Sequence, residues 1–365
     1  MEVLSSLGLE GLYLPTPAEF LYFPAYVAII WVLTLLVPGY YHKGAPLADK
    51  RVITYKINGL QILVIITALF FWSVHKGWIK GTEIYDRFWG ILVTVNFYCF
   101  LVSFFLYWKG VSNKKGTGRP VHDFIVGTEL MPFVLGMPLK FFWLKPAMMG
   151  WLLVNYSFLV QHFTTFHTVH LGMACYQIFT GIYVLDYFFF EENMTSTWDI
   201  ISENFGWMLV WGDAVFIPFF FSIQCWHLVQ TDTDMPLEAL VLLMALFLTG
   251  YTIFRTANNQ KHAFKKNPNA HIWGAPPQVI GGRLLVSGFW GLSRHANYLG
   301  DIIMSISFSL GSGFSSFIPY AYPLYLIILL VHRERRDEDK CRQKYKTMWA
   351  EYCRAVPYRI VPGVY

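Results

Sequence analysis

Charged residues are scarce in this sequence: they make up 14% of 365 residues, against about a quarter in a typical soluble domain. Hydrophobic residues make up 55% and aromatic residues 19%. A water-soluble globule cannot bury so much apolar surface. The composition therefore excludes an ordinary soluble protein and predicts an integral membrane protein.

Cysteines are also few, and several familiar motifs are missing. The five cysteines are scattered without a CxxC pair, so neither a disulfide framework nor a zinc site is expected. The GxGxxG fingerprint and the P-loop are absent, since GSGFSS at 311–316 differs at its last position. A nucleotide would have to bind by another route. No basic segment precedes the first apolar stretch, so we expect a membrane span there and not a cleaved signal peptide.

Apolar stretches long enough to cross a bilayer recur along the chain, each with about 20 mainly apolar residues. Segment 124–143, broken by Pro132 and Pro138, is a candidate short or re-entrant segment. We predict an all-α fold, a polytopic transmembrane helical bundle of eight to ten spans. The other candidate spans are 20–38, 57–74, 88–108, 149–168, 171–190, 207–229, 236–254, 298–310 and 317–331.

Basic residues cluster at 43–51, 109–119, 255–266 and 333–359. With nine spans, all four clusters fall on one side of the membrane, which the positive-inside rule makes cytoplasmic. The last segment is polar and helix-prone until Pro357. It predicts a small cytoplasmic C-terminal cap.

Polar side chains inside apolar stretches are costly and mark functional sites. The stretch LLVSGFWGLSRHANYLGD at 284–301 is the densest example, and a helix end with interfacial residues is the alternative interpretation. Five polar groups within eight residues fit a ligand-lined opening better. They are Arg294, His295, Asn297, Tyr298 and Asp301.

Two pairs of charged residues have helical i,i+4 spacing. Lys261 and Lys265 would present two cations on one face, suited to a phosphate, although an ordinary cytoplasmic loop has the same composition. Arg333 and Asp337 in the tail form the second pair, for which a surface ion pair is the alternative. His162, His167 and His170 lack a metal-binding pattern, so no metal is expected.

Four stretches together resemble the sterol reductase family. They are YKINGLQ at 55–61, QKHAFKKNP at 260–268, the stretch at 284–301, and HRERRDEDKCRQKYKTMWAEYCRAVPYRIVPGVY at 332–365. The resemblance implies an NADPH-dependent reductase of a sterol ring double bond, with a sterol and the lipid bilayer as partners and no nucleic acid. Residues 1–254 would form the membrane bundle with part of the sterol cleft. Residues 255–365 would form the NADPH pocket, the last spans and the tail.

The same resemblance assigns NADPH contacts to individual positions. Lys265 stands where many members have Arg, which keeps the charge but loses the forked donor geometry. In GTELMPF at 127–133, Met131 and Phe133 replace the family's Asn and Arg, which puts a sterol-cleft role of that Arg in doubt. The implied contacts are Lys261, Lys265, Leu285, Trp290, Arg294, Asn297, Tyr298, Arg333, Asp337, Cys341, Arg342, Gln343, Lys344, Tyr345 and Tyr352.

Within the family, Trp211-Gly212-Asp213, Phe289 and GIYVLDYFF at 181–189 favour the Δ7 branch, which reduces 7-dehydrocholesterol to cholesterol. A Δ14-reductase is the alternative. The membrane would be the endoplasmic reticulum in a eukaryote or the inner membrane in a bacterium. Two further interpretations stay open: an isoprenylcysteine-methyltransferase-like enzyme, suggested by RHANYLGD at 294–301, and a sterol-binding protein without catalysis.

The reaction needs a proton donor, because a ring C=C has no carbonyl that would polarise it for hydride attack. Protonation must precede or accompany hydride transfer. An acid that stays protonated near neutral pH requires an apolar setting. Glu129 and Asp213 lie in apolar stretches and are the carboxylic candidates, with Tyr298 or His295 as alternatives. Aromatic faces would stabilise the intermediate cation.

Overall fold

The computed structural model describes residues 14–232 and 235–365. Helix accounts for 67% of the structure and the strands are few and short, as an all-α fold requires. The described residues form two units. The first contains those up to Val169 together with Thr180–Gln230, and the second contains those of His170–Phe179 and Thr231–Tyr365. The functional division after residue 254 stays a prediction.

The first unit consists mainly of apolar helices, with α7 shared between the two units. Its long helices agree with the predicted spans, but α6 begins ten residues before the predicted span at 149 and so includes two lysines. Its helices are α1 (Glu19–Leu36), α2 (Gly59–His75), α3 (Glu83–Asp86), α4 (Phe88–Ser112), α5 (Pro120–Val126), α6 (Leu139–Phe166), α7 (Leu171–Phe189), α8 (Glu191–Met194), α9 (Trp198–Ile201), α10 (Trp207–Trp211) and α11 (Ile223–Val229).

Two antiparallel hairpins lie in the first unit. Strands β1 (Tyr40–Lys43) and β2 (Thr54–Ile57) follow α1. Strands β3 (Phe133–Val134) and β4 (Met137–Pro138) are joined by Leu135 and Gly136, both with positive φ, as in a two-residue hairpin turn. The segment at 124–143 is therefore not one continuous helix, because this hairpin lies between α5 and α6. Its predicted character as a short or re-entrant membrane segment stays a prediction.

The predicted span at 207–229 is helical throughout but irregular. Gly212–Phe220 is a π-helix between α10 and α11. It contains Pro218, which lacks the N–H that a helix interior uses. π-Helical turns are rare and occur often at functional sites. Asp213, one of the candidate acids, is the second residue of this π-helix.

Two glycines hold the loop after α5 against the segment before α10. A Cβ atom on Gly127 would lie 2.5 Å from the carbonyl carbon of Phe205, and one on Gly206 would lie 2.3 Å from the backbone nitrogen of Gly127. The backbone N–H of Phe205 also donates to the carbonyl of Glu129 at 2.9 Å. Only residues without a side chain permit this approach, so the two glycines determine where Glu129 lies.

In the second unit, the helices α12 and α13 cross at a pair of glycines. A Cβ atom on Gly300 would lie 2.5 Å from the backbone nitrogen of Phe254 and 2.6 Å from the carbonyl oxygen of Gly250. The unit's elements are α12 (Leu237–Lys266), strands β5 (Val279–Ile280) and β6 (Leu284–Leu285), the 3₁₀ turns Gly288–Gly291 and Ile318–Tyr320, α13 (Ala296–Leu310), α14 (Ala321–Tyr345) and α15 (Thr347–Ala355).

The polar C-terminal segment is helical up to Ala355, as predicted, with one break. α14 continues from the last predicted span to Tyr345. Lys346 has φ +50°, a value that interrupts a helix, and α15 then begins. The predicted cytoplasmic location of this segment stays a prediction.

Four helical stretches among the described residues are long and apolar enough to cross a membrane. They are Glu19–Leu36, Phe88–Ser112, Trp207–Val229 and Leu237–Lys266, and Gly59–His75 is a shorter apolar helix. Of the other predicted spans, 298–310 lies in the 15-residue helix α13, and 149–168, 171–190 and 317–331 lie mostly in the longer helices α6, α7 and α14. The count of eight to ten spans stays a prediction.

Candidate functional site

Lys261 and Lys265 both lie in the last turns of α12, as their spacing predicted. Both side chains are exposed. The Lys261 Nζ atom lies 4.2 Å from the centre of the Trp290 ring, within the range of a cation–π contact. The structure therefore brings Lys261 into contact with Trp290, which lies 29 positions later in the sequence.

The turn that carries Trp290 is fastened to α12 by two hydrogen bonds. Trp290 Nε1 donates to the carbonyl of Ala257 at 2.8 Å, and the Phe289 N–H donates to Gln260 Oε1 at 3.0 Å. Leu285 is buried in the same hydrophobic cluster as Trp290. Gln260 was missed by the sequence analysis, although the polar residue next to Lys261 on an otherwise buried helix face was a usable signal.

Helix α14 presents two polar stripes. Glu334 and Glu338 are buried on one face, whereas Arg333, Asp337 and Cys341 are half-buried beside it. Asp337 and Cys341 both lie near enough to Lys261 to interact with its charge. Burial, followed by the nearby Asp337, raises the pKa of the Cys341 thiol to about 11, so this residue stays protonated at neutral pH.

Arg294 has a different setting from the one its assignment as a cofactor contact implies. Its Nη1 atom donates to the carbonyls of Val356 at 2.9 Å and Pro357 at 3.0 Å, and Nη2 donates to Glu338 at 3.2 Å. The guanidinium thus holds the C-terminal segment against α14. The donors at both Nη atoms thus serve the protein itself, whereas the buried Nε atom has no hydrogen-bond partner among the described residues. The predicted cofactor contact of Arg294 stays a prediction.

The buried glutamates of α14 bind a second arginine from the same C-terminal segment. Arg359 Nη1 donates to Glu334 at 3.2 Å, and its Nη2 lies 3.5 Å from Glu338. The Tyr365 hydroxyl also donates to Glu334 at 3.2 Å. The sequence analysis missed this network, although Glu334 and Glu338 have the same i,i+4 spacing as Arg333 and Asp337.

His295 and Tyr298 stack, with ring centres 4.8 Å apart. Burial is the main cause that lowers the pKa of His295, to about 3, and the cations Lys261 and Arg294 add to it. The imidazole is therefore neutral at pH 7 and does not act as a cationic acid. Asn297 is half-buried beside them, and its buried Oδ1 atom has no hydrogen-bond partner among the described residues.

The remaining predicted cofactor contacts lie at the end of α14 and in α15. Gln343 and Lys344 are exposed, and Lys344 Nζ lies 5.0 Å from the Tyr345 ring centre. Arg342 is exposed and pairs with Glu338 at 3.3 Å. Tyr352 is buried against Trp349, in a cluster that also contacts Cys341 and Tyr345.

Several buried polar atoms of the second unit have no hydrogen-bond partner among the described residues. Such atoms are costly unless a ligand or water satisfies them. Donors and acceptors are both represented. They include Gln260 Nε2, Ser293 Oγ, Asn297 Oδ1 and Trp349 Nε1.

Glu129 lies in a polar cleft of the first unit and not in the apolar cleft that the proton-donor hypothesis assumed. Its carboxylate is 3.7 Å from Lys109 Nζ and 3.4 Å from Lys115 Nζ. Arg51 and Asp49 line the same cleft. The carboxylate therefore has two cationic neighbours, and its predicted role as the acid stays a prediction.

The surroundings of Asp213 are closer than those of Glu129 to the apolar setting expected for the proton donor. It is half-buried in the π-helix and makes no hydrogen bond or ion pair with the described residues. Lys140 and Asp199 are its charged neighbours. The Lys140 ammonium is held elsewhere, since it donates to the carbonyls of Asp199, Ile200 and Glu203 at 2.7–2.8 Å.

His162 and His170 each contact a partner of their own unit. His162 Nδ1 lies 3.0 Å from the Leu228 carbonyl in the first unit. His170 Nε2 lies 3.6 Å from Asp232 in the second. Across the described part of the chain, no group of three or more His, Cys, Asp or Glu is placed to hold a metal ion.

Comparison with known proteins decides the family. The model of the ergosterol biosynthesis ERG4/ERG24 family matches residues 1–365. The chain belongs to this family of sterol reductases. A Δ14-sterol reductase of Arabidopsis thaliana is 45% identical over 363 residues, covering 97% of this chain and 98% of the relative.

Two further relatives differ from each other in the double bond that their names specify. A Δ14-sterol reductase of Methylotuvimicrobium alcaliphilum is 40% identical over 341 residues, covering 91% of this chain and 80% of the relative. A 7-dehydrocholesterol reductase of Xenopus laevis is 34% identical over 359 residues, covering 92% of this chain and 76% of the relative.

These matches confirm the resemblance predicted from the four motifs. The sterol reductase is an oxidoreductase that acts on a sterol carbon–carbon double bond, and its apolar helices make it an integral membrane protein. The matches do not favour Δ7 over Δ14. They leave the methyltransferase and the non-catalytic interpretations without support.

Proposed function

We propose that this sterol reductase reduces the Δ14 double bond of a sterol, with NADPH as the hydride donor. Two relatives named Δ14-sterol reductase, 45% and 40% identical, support the choice of bond. The observation that carries the cofactor proposal is the contact of Lys261 with Trp290, with Lys265 one turn later. This arrangement offers two exposed cations to a phosphate.

The polar atoms of the second unit fit the other parts of NADPH. The unpaired Asn297 Oδ1 is an acceptor for a carboxamide N–H, and the unpaired Trp349 Nε1 is a donor for a ribose or phosphate oxygen. Arg333, Asp337 and Tyr352 belong to the same proposed contact set. Arg294 holds the C-terminal segment in place and acts on this set indirectly.

NADPH, when bound, supplies the hydride that one carbon of the double bond receives. The other carbon must receive a proton from the protein, because an isolated C=C is not polarised. We assign this proton to Asp213, which is half-buried in an apolar π-helix and has no ion-pair partner in the described part of the chain. Tyr298, stacked on a neutral His295, is the alternative donor.

Replacing the acid tests this assignment. Asp213→Asn should lower kcat about 100-fold or more, the usual contribution of a positioned general acid. NADPH affinity should be unchanged, since the proposed cofactor contacts lie in other elements. Glu129→Gln, at the carboxylate paired with two lysines, should keep most of the activity. Full turnover of stable Asp213→Asn protein would exclude Asp213 as the donor.

The bond is tested by offering two substrates separately, a Δ8,14-diene sterol and 7-dehydrocholesterol, and analysing the products by mass spectrometry. Saturation of C14–C15 is expected. The second candidate is Δ7 reduction, which the resemblance of Trp211-Gly212-Asp213 to the Δ7 branch favours. Reduction of 7-dehydrocholesterol alone would establish that alternative.

The cofactor is tested at the end of α12. Lys261→Met should weaken NADPH binding about tenfold or more through loss of one charge-assisted contact. Lys266→Met is the matched control, because Lys266 is exposed on the same helix end and lies on another face. Isothermal titration in detergent gives the affinities. Equal affinities for both variants would contradict a phosphate site at Lys261.

The proposal assigns cofactor binding and sterol binding to the same two parts of the chain as the sequence prediction did. Residues 255–365 would hold the cofactor, and residues 1–254 would contribute the sterol cleft. The membrane would be the endoplasmic reticulum in a eukaryotic cell or the inner membrane in a bacterium. Localisation of a fluorescent fusion in the source organism tests this part.

A further inference from the structure

A cavity of about 240 Å³ lies in the first unit where α1, the β1–β2 hairpin, the β3–β4 turn and α6 meet. It is smaller than the roughly 300–1,000 Å³ of sites that enclose a drug-sized ligand, so a whole sterol does not fit. One wall is apolar and includes Phe141 and Phe142. The other carries the hydroxyl-bearing Tyr41 and two lysines, Lys56 and Lys145.

Lys145 is almost completely buried, with 1% of its surface exposed. Its ammonium pairs with Glu191 Oε1 at 3.2 Å, while Glu191 Oε2 accepts the N–H of Gly59 at 2.6 Å. An ammonium has three donors, and Lys145 contacts no other polar group among the described residues. Two donors of a buried cation are therefore left to the cavity, which is costly unless an acceptor is present.

Lys56 approaches the cavity from the hairpin. Its ammonium donates to the carbonyls of Thr34 at 3.1 Å and Leu35 at 2.9 Å, at the C-terminal end of α1. One donor remains. Two ammonium groups and the single carboxylate of Glu191 give the cavity a net charge of about +1, which suits a monoanion such as a phosphodiester.

With α1 spanning the bilayer, the cavity would lie near the depth of the lipid phosphates. α1 has 18 residues and is therefore about 27 Å long, close to the thickness of the hydrocarbon core. Thr34 and Leu35, at its end, then lie at the boundary of the apolar layer. At the rim, Leu135 is held in a left-handed turn with 89% of its surface exposed, available to an acyl chain.

We propose that this cavity binds the phosphate of an anionic glycerophospholipid, with Lys56 and Lys145 as donors and an acyl chain along Leu35 and Leu135. The site is separate from the proposed cofactor contacts, all of which belong to the second unit. The full chain in detergent is titrated with phosphatidylglycerol, and binding is followed by native mass spectrometry and thermal shift. Diacylglycerol with the same acyl chains and inorganic phosphate are the comparison ligands.

Phosphatidylglycerol should bind saturably and raise the Tm. Diacylglycerol, which lacks the phosphate, should not, and inorganic phosphate should bind far more weakly. Lys56→Gln should weaken phosphatidylglycerol binding about tenfold or more. Lys145→Met combined with Glu191→Gln, which removes the ion pair but keeps an acceptor for Gly59, should have a similar effect. Lys43→Gln is the matched control on the same hairpin, outside the cavity lining, and should bind like the wild type.

Three results would overturn the proposal. Wild-type affinity in Lys56→Gln would show that the cavity does not recognise the lipid, even if the double variant fails to fold. Equal loss in Lys43→Gln would indicate general attraction to a basic surface. Equal stabilisation by diacylglycerol or by inorganic phosphate alone would exclude a lipid phosphate as the ligand.

Discussion

Three arginines, Arg294, Arg342 and Arg359, contact the carboxylate of Glu338, and the structure predicts very different stability costs for the loss of the first two. Arg294 is 5% exposed and also donates to two carbonyls of the C-terminal segment. Arg342 is 65% exposed and makes only the contact to Glu338 at 3.3 Å. Both belong to the contact set implied by the family resemblance, so the comparison separates a structural role from a cofactor role.

The expected loss of unfolding free energy in Arg294→Met follows from the groups that lose their hydrogen-bond donor. The buried carbonyl of Val356 and the partly buried carbonyl of Pro357 lose their donor. Glu338 keeps Arg359 at 3.5 Å and Arg342 as cationic neighbours. Breaking a buried pair costs about 3–5 kcal/mol, and the remaining cations favour the lower end, about 3 kcal/mol. Arg342→Met removes an exposed pair worth about 0–1 kcal/mol.

Thermal unfolding of the two variants in the same detergent measures the difference. Arg294→Met should lower the Tm by about 4 °C and increase proteolysis of the C-terminal segment, whereas Arg342→Met should stay close to the wild type. Both measurements are made without NADPH. If Arg294→Met unfolds like the wild type and loses only NADPH affinity, the structural assignment of Arg294 is refuted.

Two further predictions concern a close backbone contact and a buried imidazole. Gly127→Ala should destabilise the chain by about 2 kcal/mol or more, because φ is +98° and the new Cβ would lie 2.5 Å from Phe205. Gly118→Ala, at φ +82° with nothing within 4 Å, should cost only about 1 kcal/mol; equal Tm values would contradict the contact. The pKa of His295 is lowered to about 3 by burial, so below about 6.5 the unfolded chain binds more protons than the folded one. Stability should therefore fall by about 2 kcal/mol between pH 7 and pH 5, and His295→Gln should lose this dependence in Tm measurements across that range.

Features that depend on neighbours in the chain were predictable from the sequence. Composition established the membrane setting, and local motifs established the family. The i,i+4 spacing of Lys261 and Lys265 correctly placed both on α12, and that of Arg333 and Asp337 correctly placed both on α14. Helical periodicity needs only the residues within one or two turns, so these predictions required no tertiary information.

Partners distant in the sequence were decided only by the tertiary structure. Arg294 and Glu338 are separated by 44 residues, and Glu191 accepts from Gly59 across 132 residues. Glu129 lies in an apolar stretch of the sequence, yet folding places it between two lysines. A charged residue in an apolar segment signals that a partner must exist, because isolated charges are costly there. The identity of the partner depends on which helices pack together, and hence on the fold.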